Sequence, residues 1–106
     1  CSILQYKSKA HRIHETDQCI VILDRYPVVQ GHALVIPRHH HSSILSLCRE
    51  ESIDLFDEIK ETAMVIMQTL GAHGFNMGAN TGKAAGQTVN HAHVHIIPRY
   101  HNDSFW

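Results

Sequence analysis

Between residues 49 and 70, Ile53, Phe56, Ile59, Ala63, Ile66 and Leu70 recur at steps of three and four. That period matches an amphipathic α-helix of about six turns with one apolar stripe. Glu50, Glu51 and Asp54 fall in its first turns, where the helix dipole favours anions, and Gly71 stands where a helix would end. A helix of this length needs a surface to cover, and the rest of the chain supplies strands. Residues 12–24 read as two short strands around a turn at Thr16, Asp17 and Gln18. The continuous apolar run from Cys19 to Leu23 suggests a strand buried on both faces. Residues 32–36 form a third strand stopped by Pro37, residues 74–80 a fourth, and residues 90–99 a last one ended by Pro98. Residues 25–31 and 81–87 are loops, the second rich in Gly and Ala. Strands, then one helix, then strands predict an α+β fold, with a mostly antiparallel sheet and the helix on one face. At 106 residues and 12.0 kDa the chain has room for one domain, expected to span residues 1–106.

Composition excludes several functions. Nine Lys and Arg against ten Asp and Glu leave a net charge of -1, without the basic excess of a nucleic-acid binder. No apolar run approaches the roughly 18 residues of a membrane span, and no secretory signal is evident, so no membrane partner is expected. Three cysteines, an odd number, point to a reduced, cytoplasmic protein. Histidine is the anomaly: 11 of 106 residues, scattered from His11 to His101.

The informative stretch is His91-Ala92-His93-Val94-His95-Ile96-Ile97. Alternate side chains of a strand share a face, so His91, His93 and His95 are expected to project together, about 6.8 Å apart per two residues. Ala92, Val94 and Ile96 then turn to the core. Three chemistries suit such a row. A solvated polar face needs no histidine in particular. A metal site would find the outer two rings awkward, about 14 Å apart at the backbone, and no Asp or Glu lies within the motif. Nucleophilic catalysis needs one imidazole nitrogen free and the other held as a donor, and it suits attack on phosphorus. Gly86, Gln87 and Thr88 just upstream offer a small residue, an amide and a hydroxyl to phosphate oxygens.

This stretch resembles the histidine triad signature, in which three histidines alternate with apolar residues. Asn80 to Thr88, residues 98–100, and Asp24 followed eight residues later by His32 are also similar to that superfamily. The resemblance runs through the whole chain in order. It implies a five-stranded antiparallel sheet with a long helix, paired into a homodimer. It also implies a nucleotide hydrolase or transferase acting at the α-phosphate of nucleoside phosphoramidates, adenylates or dinucleoside polyphosphates. His93 matches the nucleophile, His95 the histidine at the leaving group, and His91 and His32 the supporting network. Asn80, Gly86, Gln87 and Thr88 match the phosphate and leaving-group site, Asp24 the ribose-binding position, and Ile3 and Ile22 the pocket for a purine base.

A structural zinc occurs in many relatives that begin Cys-x-x-Cys. Cys1 would be the second of those cysteines, and Cys1, His40 and His91 would form part of such a site. No catalytic metal or other cofactor is expected. Residues 102–106 are similar to the dinucleoside polyphosphate branch and Asp24 to the phosphoramidase branch, so the branch stays open. The competing functional classes are a nucleotide-binding sensor with slow turnover and a metal-dependent binding module. His39, His40 and His41 are expected in a solvated turn, and His11, His14, His73 and His101 on the surface without partners. Met64, Met67 and the helix stripe are expected in the core, Cys19 as an inert buried strand residue, and Lys83 exposed in its loop.

Overall fold

The apolar run at residues 19–23 folds as the doubly buried strand its composition suggests. The computed structural model describes residues 12–24, 29–87, 90–101 and 103. In it β2 (Cys19–Leu23) keeps its first four residues buried. β1 (Arg12–Glu15) pairs with it antiparallel through a turn in which the Cys19 N–H donates to Thr16 Oγ1 at 3.0 Å. β3 (Ala33–Pro37) follows, then α1 (Arg49–Leu70), β4 (Gly74–Gly78) and β5 (Val94–Arg99). The strands form one five-stranded sheet in the order β1-β2-β3-β5-β4, and every neighbouring pair is antiparallel. The predicted α+β architecture is therefore present. Among the described residues no helix is long and apolar enough to cross a membrane.

Register assigns each side chain to a face. Val35 pairs with Val94 and Ala33 with Ile96, and these residues join Cys19 and Val21 under Leu55, Ile59, Ala63 and Ile66 of α1. The other face carries Ile20, Ile22, Leu34 and Ile36. Because Ile22 pairs with Leu34 and Leu34 with His95, this second face is also the histidine face.

Several expectations need correction. β5 starts at Val94, not residue 90, so only His95 of the three histidines lies on a regular strand. β4 ends at Gly78 and β3 begins after His32. The helix has the expected ends, Gly71 closing it at φ +67°, but its buried face is rotated. Leu55, Glu58, Ile59, Thr62, Ala63 and Ile66 are buried, whereas Ile53, Phe56 and Met64 are 50%, 53% and 59% exposed. Two adjacent apolar rows run along α1, and the sheet covers one of them. At 100° per residue, Glu58, Glu61 and Val65 share one flank of the buried face, Phe56 lies on the opposite flank, and Ile53 and Met64 point away from the sheet. The Glu58 flank lines a cavity with Ile13, His14 and Val21, so it lies toward β1 and β2. Phe56 therefore lies on the side toward β4, whose Phe75 and Met77 are also exposed. Glu58, a buried carboxyl pushed up from its ordinary range by burial, has Oε1 3.1 Å from His14 Nε2, so His14 is not partnerless. His73 and His101 are exposed as expected but stack on each other, with ring centroids 4.0 Å apart. Cys19 is buried, and burial pushes its thiol up to about 11.

Glu51 anchors the start of α1. Its Oε1 accepts from the Cys48 N–H at 3.0 Å and its Oε2 from His41 Nε2 at 2.8 Å. The backbone hydrogen bond first, then the His41 bond, hold its carboxyl down at about 2. A depressed carboxyl contributes stability above its unfolded pKa and loses it as pH falls through the folded value. Thermal melts of the wild type should therefore weaken between about pH 4.5 and pH 2, and Glu51→Gln should flatten that part of the curve.

Candidate active site

The hairpin between β2 and β3 places the first pair of functional groups. The Asp24 N–H donates to the His32 carbonyl at 2.8 Å, closing the hairpin and setting the two side chains together. Gly31 sits at φ +90°, and a Cβ there would collide with the Leu70 side chain, so the turn that presents His32 requires glycine. His32 is buried, with Nε2 3.6 Å from Asp24 Oδ2 and 2.9 Å from Nδ1 of His95. One proton lies between the two rings. The Asp24 carboxylate favours that proton on His32 Nε2, which makes His95 Nδ1 the acceptor and His95 Nε2 the N–H nitrogen.

The three triad histidines do not form the straight row that alternation predicts. The chain bends at residues 90 and 91, before β5 begins. His91 is fully buried and its Nε2 donates to the Pro37 carbonyl at 2.8 Å. Burial first holds its imidazole below the ordinary range, with His40 and His93 adding to the effect. His93 turns back along the chain, and its Nδ1 lies 2.8 Å from the His91 carbonyl. A carbonyl accepts but never donates, so Nδ1 carries the proton and Nε2 is the lone-pair nitrogen. The His93 and His95 rings meet edge to face with centroids 5.1 Å apart.

A neighbouring segment, read from the sequence as a solvated turn, holds this arrangement. The Ala92 N–H, between the two histidines, donates to the His41 carbonyl at 2.6 Å. His40 packs edge-on against His91 at 5.3 Å. Together with the His41–Glu51 bond, these contacts correct the expectation of a merely solvated turn at residues 39–41. The available signal was Glu51 itself, an acid three residues into the helix, but nothing local names its partner.

The loop before the triad is tied to the same segment. Gln87 Oε1 accepts from the Gly82 N–H at 2.7 Å, and Gln87 Nε2 donates to the Ser42 carbonyl at 2.8 Å. Gly86 adopts φ +88°, with Asn80 Nδ2 3.3 Å from where a Cβ would stand. Asn80, Gly86 and Gln87 are thus brought together, with Gln87 as the staple of the loop. Lys83 is exposed there, as expected. Ile22 is buried on the histidine face. Ile3, Thr88, Cys1 and Trp106 lie outside the described residues, as does most of the 102–106 segment. Of the expected zinc ligands His40 and His91 are in contact, and since Pro37 engages His91 Nε2, its Nδ1 is the nitrogen that would face a metal. The only close trio of metal-binding atoms among the described residues is Asp24, His32 and His95, all within 4.8 Å of one another.

Known proteins share this fold. The HIT domain family model matches residues 5–102. The adenylylsulfatase HINT3 of Arabidopsis thaliana is 33% identical over 106 residues, covering 100% of this chain and 54% of that protein. The chain thus spans about half the length of that relative. A HIT family protein from Bacillus anthracis superposes with a TM-score of 0.89 at 36% identity, covering 100% of this chain and 76% of that one. A zinc-bound histidine triad family protein from Mycobacterium smegmatis gives 0.89 at 34% identity, covering 100% and 77%. With the family signature running almost end to end and the same fold in these relatives, the chain belongs to the HIT, or histidine triad, family.

Proposed function

We propose that the chain is a nucleotide hydrolase or transferase. It cleaves at the α-phosphate of a nucleoside phosphoramidate, adenylate or dinucleoside polyphosphate through a nucleotidyl-histidine intermediate. The observation that carries this reading is the His93 Nδ1–H bond to the His91 carbonyl, which leaves Nε2 as the nucleophilic nitrogen. Nε2 attacks the α-phosphorus and the bond to the leaving group breaks. His95, holding its proton on Nε2, gives that proton to the departing atom. Water then attacks phosphorus, the nitrogen–phosphorus bond breaks, and the proton lost by water returns to His95. Asp24 accepts hydrogen bonds from the ribose hydroxyls. Asn80 and the loop through Gly86, Gln87 and Thr88 are assigned to the phosphate, and the purine to the apolar side of Ile3 and of Ile22, whose own side chain is fully enclosed. No step calls for a metal.

The deciding experiment is hydrolysis of a nucleoside phosphoramidate, adenylyl sulfate and a diadenosine polyphosphate, side by side. Turnover of at least one is expected. Tight binding of nucleoside monophosphate with no turnover of any would favour a sensor. For the ribose contact, Asp24→Ala should weaken nucleoside monophosphate binding by about 1.5–3 kcal/mol, the range for a hydrogen bond to a charged group. Unchanged affinity by calorimetry would remove Asp24 from the ribose.

The active form in this proposal is a homodimer. Phe56 of α1 and Phe75 and Met77 of the edge strand β4 are exposed, as are Ile53 and Met64 on the outer side of α1. Sedimentation at micromolar concentration should give a dimer, and Phe56→Glu should shift it to monomer. A wild-type monomer would refute the pairing.

A further inference from the structure

The Asp24–His32–His95 group is built to hold more than a proton. We propose that it is a site for a zinc-class divalent cation, and that the cation and the nucleotide exclude each other there. Three donor atoms converge from three parts of the fold: the end of β2, the residue before β3, and β5. Asp24 Oδ2 and His95 Nδ1 lie 3.6 and 2.9 Å from His32 Nε2, and all three donors fall within 4.8 Å of one another. A tetrahedral zinc with bonds of about 2.0–2.1 Å needs donors about 3.4 Å apart. The two imidazoles must therefore part by roughly 0.5 Å, within ordinary side-chain adjustment, and the cation takes the place of the proton they share.

The donor chemistry selects the metal. Two imidazoles and one carboxylate make a three-ligand set with a fourth position open, which suits zinc and its transition-metal neighbours. Magnesium and calcium prefer oxygen and should bind poorly. Burial of His32 and partial burial of Asp24 limit competition from bulk water. The site is separate from the Cys1, His40 and His91 set that the family resemblance implies. The His91 ring is held on the Pro37 carbonyl, whereas His32 and His95 share their own proton.

The exclusion of nucleotide rests on the proposed function, because there Asp24 takes the ribose and His95 serves the leaving group. Cation binding itself does not rest on it. A filled site takes the Asp24 carboxylate from the ribose and holds the His95 ring by Nδ1.

The test is calorimetric titration of the full, reduced chain with zinc chloride at pH 7.5. It uses a His40→Gln background, so that the other histidine set does not contribute. One zinc site is expected there. Asp24→Asn should weaken it at least about tenfold, since loss of even an outer-shell partner costs 10–100-fold. His32→Gln should do the same, His73→Gln should leave it unchanged, and magnesium should give no binding. Asp24→Asn changes a partly exposed carboxylate to its isosteric amide, so the result does not hang on the buried His32. Zinc affinity unchanged in Asp24→Asn, or no zinc bound in the His40→Gln background, overturns the site. Saturating adenosine monophosphate should weaken zinc binding. If zinc depends on Asp24 but the monophosphate does not compete, the cation site stands and the ribose assignment falls.

Discussion

His93→Ala should have no measurable turnover yet still bind nucleoside monophosphate. His91 and His93 are each oriented by a backbone carbonyl and keep a lone pair on the other nitrogen, but His91 is fully buried whereas His93 is partly exposed, so only His93 can reach a substrate. Alanine removes the attacking atom, and no neighbour replaces it. His91 has its Nε2 bound to Pro37, and His95 has its Nδ1 bound to His32. Removing the nucleophile of an enzyme that works through a covalent intermediate costs about 10⁴–10⁶ in kcat. Binding should persist because Asp24 and the apolar face with Ile22 are untouched. Rapid quench with labelled substrate, followed by mass spectrometry of the peptide around residue 93, would locate the adduct. An adduct on His91 or His95, or an active His93→Ala, would sink the assignment.

His91→Ala should damage the fold rather than the chemistry alone. His91 is fully buried, and its loss leaves the Pro37 carbonyl without that donor and opens a cavity. An orphaned buried acceptor costs about 1–3 kcal/mol, and the missing ring adds a packing term, so about 2–4 kcal/mol in all is expected. For a chain of this size that corresponds to a fall of about 9–18 °C in Tm. The pH dependence separates this role from a catalytic one. Burial holds the folded imidazole below its unfolded pKa of about 6.5, so the unfolded chain binds more protons as pH drops. The His91 contribution is therefore complete above about pH 6.5 and declines below it. The difference in Tm between wild type and His91→Ala should shrink from pH 7.5 to pH 5.5. A His91→Ala chain as stable as wild type at pH 7.5 would contradict this.

The contrast between these two residues shows where sequence reasoning stops. Alternation along His91 to Ile97 placed the three rings on one face because period two is a property of any extended strand. The chain bends before Val94, so the rings diverge into different environments: the Pro37 carbonyl, the His91 carbonyl and the His32 ring. The Pro37 bond spans 54 positions and the His32 bond 63, and no local pattern encodes contacts at that separation. The same limit explains His41, whose carbonyl holds Ala92. A run of three polar rings beside two serines has the local character of a turn, and only the docking of β5 against it makes that turn part of the site.

The sequence by itself determined the helix at 49–70, the strand at 19–23, and the presence of histidine chemistry at residues 91–95. Each is written in short-range periodicity, in β-branched composition or in a compact motif. The tertiary structure decided which apolar residues of α1 meet the sheet and which remain exposed. It also decided that His91 is buried as a support, that His93 keeps a lone pair on Nε2, and that Asp24, His32 and His95 converge. Helical period repeats every 3.6 residues, whatever surface the helix later meets. The face that is buried, the tautomer that is held and the donors that meet depend on how distant segments dock, and no local run of sequence carries that information.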